Sequence, residues 1–289
     1  MEKFKAFKLE EVDRKIRAGF VDMTLEELDP GEVVVRVAYS DINYKDALAA
    51  TGKGRVLRRP ACVGGIDFSG TVVSSSDSRF AKGDAVLAVG FDLGVAHHGG
   101  YAQYARVPAE WLVRLPQGMS LWEAMAFGTA GFTAGLGIVR MEQNGLKPGN
   151  GPVIVNGATG GVGSIAVSAL AKLGYHVVAL TGKAAESDWL KKLGAKEILL
   201  RKDLNLEKIK PLDKATWAGA VDNLGGPVLA RRVLGLNRAL AQLERLVQRL
   251  DRVEAQPHPF AHLASSRRMS LSSRMILSAA SICRSNSGS

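Results

Sequence analysis

The chain has 289 residues, 46% hydrophobic and 23% charged, with a formal net charge of +10. This length can hold two domains with cores of their own. Two distant cysteines, Cys62 and Cys283, exclude a disulfide framework and a cysteine-based metal cluster; no apolar run reads as long enough to span a membrane, and Met1–Lys5 lacks the apolar core of a signal peptide, so a cytoplasmic protein is expected.

The first part of the chain is a series of short β-like runs. They cover residues 32–39, 70–73, 84–89, 99–107 and 111–115, separated by glycine and proline. That spacing predicts an antiparallel barrel or sandwich. His97 and His98 fall on a glycine-rich stretch and are expected to be surface-loop residues. A helical pattern at Leu121–Ala126 leads into Gly128-Thr129-Ala130-Gly131, and a domain boundary is expected there.

The next segment is Pro152-Val153-Ile154-Val155-Asn156-Gly157-Ala158-Thr159-Gly160-Gly161-Val162-Gly163. A β-branched run enters a glycine turn and an apolar helix pattern leaves it, which is the order a dinucleotide site needs. Gly160 and Gly163 occupy the second and third glycine places of G-x-G-x-x-G, and Ala158 the first. Gly160 lets backbone approach a pyrophosphate, Gly163 lets helix pack on strand, and the helix N-terminus offers N–H groups to phosphate. Thr159, Gly160, Gly161, Val162 and Gly163 are therefore the candidate pyrophosphate loop. Residues 175–180 read as a buried parallel strand. Its end carries Thr181-Gly182-Lys183 and no carboxylate for a ribose 2′-hydroxyl, so Lys183 favours NADPH over NADH. Arg201, after a strand at 197–200, is a further candidate for the cofactor. A fourth strand is expected in 218–226, with Asn223 at the carboxyl edge where open α/β sheets bind ligands.

From position 231 onward there are ten arginines and three acidic residues, so most of the positive excess lies in one segment. Nucleic-acid binding is accordingly not expected of the protein as a whole. The last lysine is Lys214. Arg231–Leu250 has helix-like apolar spacing, and 265–289 is serine-rich without a period, as in a disordered tail. A frameshifted end explains these changes together. The expected domains are 1–125, a β domain; 126–230, a dinucleotide-binding domain; and 231–289, an atypical Arg/Ser-rich tail.

Four motifs carry a resemblance to a family: Asp41-Ile42-Asn43-Tyr44-Lys45-Asp46, Gly64-Gly65-Ile66-Asp67-Phe68-Ser69-Gly70, Gly128-Thr129-Ala130-Gly131-Phe132-Thr133-Ala134 and Val221-Asp222-Asn223-Leu224-Gly225. Residues 1–230 resemble the zinc-free quinone oxidoreductase branch of the medium-chain dehydrogenases/reductases, and within it the acrylyl-CoA reductases. The resemblance implies a GroES-like β barrel followed by a Rossmann doubly wound sheet, here incomplete at its C-terminal end. Zinc members carry Cys and Gly-His-Glu where this chain has Ser40-Asp41 and Gly65-Ile66-Asp67, so no metal is expected. It also implies hydride transfer from NADPH to the β-carbon of an α,β-unsaturated acyl thioester, then protonation at the α-carbon; the alternatives are a quinone or enone reductase and an inactive nucleotide-binding remnant. Tyr44 is the implied catalytic residue beside the nicotinamide, donating from a phenol that is protonated at neutral pH. Asn43 assists it, and Thr129 meets the nicotinamide side. A homodimer is also implied, though the altered tail would remove sheet edges on which it depends.

Overall fold

A computed structural model describes residues 3–204 and 216–225. The helix-like stretch 231–250, the serine-rich end and the atypical tail lie outside the described residues. The chain divides into two compact units, Met1–Phe132 and Thr133–Ser289.

The first unit opens with a hairpin that the glycine and proline punctuation did not announce. Strands β1 (Phe4–Val12) and β2 (Lys15–Met23) pair antiparallel across Asp13 and Arg14, whose φ values are 51° and 61°. Both corner residues have positive φ, the condition for the tight turn that matches strand twist, but neither is glycine. Then follow β3 (Val33–Tyr39), α1 (Tyr44–Thr51), β4 (Ala61–Val63), β5 (Asp67–Ser75), β6 (Ala85–Val89), β7 (Tyr104–Val107) and β8 (Val113–Arg114). They form two sheets, β2-β1-β4 and β7-β3-β5-β6-β8, with all pairings antiparallel. Alternation decides which face is buried: Val33, Val35, Val72, Val86 and Val107 join Phe68 in one core.

Helix α2 (Leu121–Gln143) corrects the expectation about membrane-length runs. By length and composition it is long and apolar enough to cross a bilayer. It is not a straight apolar rod, because Gly128 takes φ 44°, ψ −150° and breaks the helical path. Beyond the break Ala134, Ile138 and Met141 are buried in the core of the second unit, which is the role of a core helix.

That second unit is a parallel sheet with helices. Its elements are β9 (Val153–Asn156), α3 (Gly161–Lys172), β10 (Val177–Thr181), α4 (Ser187–Lys192), β11 (Glu197–Leu200) and β12 (Gly219–Val221). The order β11-β10-β9-β12 is parallel throughout. Every residue of β9 and β10 is buried, as continuous apolar runs in a sheet covered on both sides require. Val155, Val167, Leu170, Val177 and Leu190 pack one side; Ile154, Val178 and Leu180 the other. Each such side chain contributes on the order of 1.5–3 kcal/mol. The sequence runs from β9 outward to β11 and then returns to the opposite side of β9 with β12. Strand order thus reverses at β9, and the crevice outside its carboxyl end is where sheets of this kind take ligands.

Candidate functional site

The glycine turn stands at that carboxyl end. Gly160 is the N-cap of α3, and the helical ladder begins with the Ser164 N–H donating to Gly160 O at 2.9 Å. The N–H groups of Gly161, Val162 and Gly163 precede that ladder, at the positive end of the helix dipole. A Cβ on Gly163 would lie 2.2 Å from Gly157 O, whereas one on Gly160 would meet nothing closer than 3.3 Å. Gly163 is therefore required by close packing, and at Gly160 a side chain would make one tight contact, with Gly157 O, and no other within 4 Å. The sequence placed this candidate loop, Thr159 to Gly163, on one turn and one helix start, and the structure keeps it together.

At the end of β10 the Lys183 N–H donates to Thr181 Oγ1 at 3.0 Å, forming a short turn. A Cβ built on Gly182 would be 3.9 Å from Arg201 Nε, so the β10 and β11 ends bring Gly182 and Arg201 side by side. Lys183 and Arg201 are both exposed, and neither has an ion-pair partner among the described residues. On the other side of β9, Asn223 donates its amide to Asn156 O at 2.7 Å. Asn156 in turn donates to Asp222 Oδ1 at 2.5 Å, which also accepts from the Leu224 and Gly225 N–H groups. Asn223 is thus engaged in holding the β9 and β12 ends together. Asp222 Oδ2 is buried and has no partner among the described residues, an acceptor left at the carboxyl edge of the sheet. Open helix N–H groups, a glycine turn and two unpaired cations fit a phosphorylated dinucleotide.

In the first unit the candidate residues converge on a residue not singled out from the sequence. Asp67 is fully buried at the start of β5. Its carboxylate accepts from the Asp41 N–H at 3.1 Å, Asn43 Nδ2 at 2.9 Å, the Thr129 N–H at 3.0 Å and Thr129 Oγ1 at 2.6 Å. Ser40 Oγ donates to Asp67 O at 2.6 Å. Where zinc members carry ligands, Ser40 and Asp67 are bonded to each other and to their neighbours. Asn43 is the N-cap of α1, and Asp46 accepts its N–H at 2.9 Å and that of Ile66 at 3.1 Å. Tyr44, the first residue of α1, is 81% exposed. Burial raises the carboxyls of Asp41 and Asp46, with the charge of Asp67 adding to both. Burial, and then the charge of Asp46, pushes the Tyr101 phenol up as well; its hydroxyl donates to Asp41 O at 2.9 Å.

The histidines depart from expectation. His98 is 5% exposed, not a surface residue. Its Nδ1 accepts the Val63 N–H at 3.0 Å, so that nitrogen is unprotonated, and burial lowers its pKa. His97 is partly buried, with its ring edge-on to Trp111 and its nitrogens near the carbonyls of His98 and Pro30. Both neighbour Asp29, which ion-pairs with Arg59 at 2.7 Å. Cys62 is also fully buried; its thiol donates to His97 O, and burial pushes its pKa up to about 12. Asp67, Asn156 and Asp222 are the site-shaping residues missed. Their one signal in the sequence is a polar residue at the end of an apolar strand: Asp67 opens β5, Asn156 closes β9 and Asp222 follows β12.

A family model for the alcohol dehydrogenase GroES-like domain matches residues 29–117. The putative quinone oxidoreductase YhfP of Bacillus subtilis is 51% identical over 227 residues, 78% of this chain and 69% of that one. A crystal structure of B. subtilis YhfP with NAD bound matches with a TM-score of 0.80 and 48% identity, over 83% of this chain and 73% of that chain. The acrylyl-CoA reductase AcuI of Ruegeria pomeroyi is 49% identical over 226 residues, 78% of this chain and 68% of that one. The YhdH oxidoreductase of Salmonella enterica, solved in complex with NADP, matches with a TM-score of 0.78 and 46% identity, over 81% of this chain and 72% of that chain. Likeness of this extent reaches across both units, and with it the chain belongs to the quinone oxidoreductase and acrylyl-CoA reductase branch of the medium-chain dehydrogenases/reductases.

Proposed function

We propose that the chain is an NADPH-dependent oxidoreductase that reduces the C=C bond of an α,β-unsaturated acyl thioester, with acrylyl-CoA as the substrate to test. The observation that carries this reading is the glycine turn at the reversal point of the parallel sheet, flanked by two exposed cations at the ends of β10 and β11. One relative is solved with NADP and another with NAD. The choice therefore falls to this chain's own residues: Lys183 and Arg201 supply positive charge where an NAD-type site would place a carboxylate. The similarity to an acrylyl-CoA reductase supports the thioester substrate.

When bound, the nicotinamide supplies a hydride. The chain's own residues bind and orient. Thr159 to Gly163 receive the pyrophosphate at the start of α3, and Lys183 and Arg201 hold the 2′-phosphate. Asn223 keeps the β9 and β12 ends in register. Thr129 and Tyr44 contact the nicotinamide, with Asn43 capping the helix that carries Tyr44. The Tyr44 phenol donates a hydrogen bond toward the substrate oxygen, where charge develops. In this reading residues 1–125 form the catalytic domain and 126–230 the cofactor domain.

The test is a fluorescence titration of the full chain with NADPH and NADH, followed by turnover of acrylyl-CoA and of a quinone. Micromolar binding with preference for NADPH, and faster turnover of acrylyl-CoA, is the expected result. Faster turnover of the quinone replaces the substrate while keeping the cofactor. Binding of a cofactor without turnover of either substrate leaves the inactive nucleotide-binding remnant, and absence of binding to either cofactor overturns the reading.

A further inference from the structure

A buried carboxylate fixes the direction of one hydrogen bond in the first unit. Asp67 takes the N–H and the O–H of Thr129 on the same oxygen, Oδ2, at 3.0 and 2.6 Å. The Asn43 amide donates to that oxygen as well, and the Asp41 N–H donates to Oδ1. An ionised carboxylate can only accept, so each of these partners must donate. A threonine hydroxyl has one proton and two lone pairs. With its proton held by Asp67, the Thr129 oxygen can serve a ligand only as an acceptor. The break in α2 belongs to the same arrangement: a Cβ on Gly128 would lie 3.2 Å from Asp67 Oδ2 and 3.0 Å from Asp41 Oδ2. Glycine there is what lets Thr129 reach the carboxylate with both its backbone and its side chain.

We infer that Asp67 is a positioning residue that makes Thr129 an obligatory acceptor, so that Thr129 selects the N–H of the nicotinamide carboxamide. The inference rests on the cofactor contact proposed above for Thr129. The carboxamide carries the N–H donors of the nicotinamide ring, and which of its two ends is held sets which way the ring lies. A cofactor with an acetyl group in place of the carboxamide keeps the carbonyl and loses the donor.

The experiment is calorimetric titration of the full chain with NADP⁺ and with its 3-acetylpyridine analogue. The wild-type chain is expected to bind the analogue about tenfold more weakly, the loss of one buried hydrogen bond. Thr129→Val brings the two affinities within about twofold, and Thr129→Ser keeps the wild-type ratio. Asp67→Asn, whose amide can turn an N–H toward Thr129 and release the hydroxyl proton, also loses the discrimination. A merely structural Asp67 would instead weaken both ligands together and leave their ratio as in the wild type, which overturns the inference. So does an unchanged ratio in Thr129→Val; if Asp67→Asn does not fold, the Thr129 pair decides. Equal binding of both ligands by the wild type overturns the inference and spares the proposed function. Binding of neither overturns both.

Discussion

Replacing Lys183 or Arg201 by alanine is expected to weaken NADPH about tenfold while leaving NADH nearly unchanged, since each removes a charge-assisted bond worth about 1.5 kcal/mol to a phosphate that NADH lacks. Paired titrations of the two variants check this, and an equal loss for both cofactors would remove the 2′-phosphate assignment. Asp67→Ala strands four donors in a buried place. A loss of about 3 kcal/mol or more is expected from denaturant unfolding, because unsatisfied buried groups cost about 1–3 kcal/mol each and part of that is regained by water. Gly163→Ala drives a methyl into Gly157 O and is expected to cost about 1–3 kcal/mol and to abolish cofactor binding. The glycine loop was legible because its residues are consecutive and each has a local backbone reason. Asp67 was not, because its donors come from positions 41, 43 and 129, which only the fold assembles.

Elements were legible where one physical signal dominated. The continuous apolar runs of β9 and β10 announced a parallel sheet. The β1–β2 hairpin escaped because its turn uses Asp13 and Arg14 in place of glycine. The loop bearing His97 and His98 looked solvent-exposed because its neighbours are glycines, yet those glycines allow it to pack: a Cβ on Gly99 would lie 2.0 Å from Gly65 O. This loop gives the fold a pH dependence. His98 is buried neutral, with a pKa below its ordinary value near 6.5. A histidine depressed in the folded state contributes stability that is present above that ordinary value and lost as pH falls through the folded one. For Asp29 burial pushes the pKa up, but Arg59 and the His98 N–H outweigh it and hold the carboxyl low. Its contribution is present above about 3.8 and fades below that. Melting temperature is therefore expected to fall from neutral pH toward pH 5, where Asp29 is still ionised, and His98→Gln is expected to flatten that slope. A wild-type profile that is flat between pH 7 and 5 would remove His98 from this role.

For the whole molecule, the order of motifs was the strongest guide, since an antiparallel β unit before a parallel one is visible in strand spacing alone. The charge is a property of the same scale. At +10 the chain is expected to be held on a cation exchanger at neutral pH and to be released over a range of salt that screening sets. Removing residues 231–289, with their ten arginines and three acids, should shift elution to lower salt. Unchanged elution would mean that this segment's charge is not presented to solvent. One buried atom makes the stability of the first unit measurable without any cofactor. The Cys62 sulfur has no solvent exposure and a pKa near 12, so an alkylating reagent meets neither an accessible atom nor a thiolate. Labelling of the peptide that contains Cys62, followed by mass spectrometry, then runs only as fast as that part of the β unit opens, and the sulfur serves as a built-in clock for its opening.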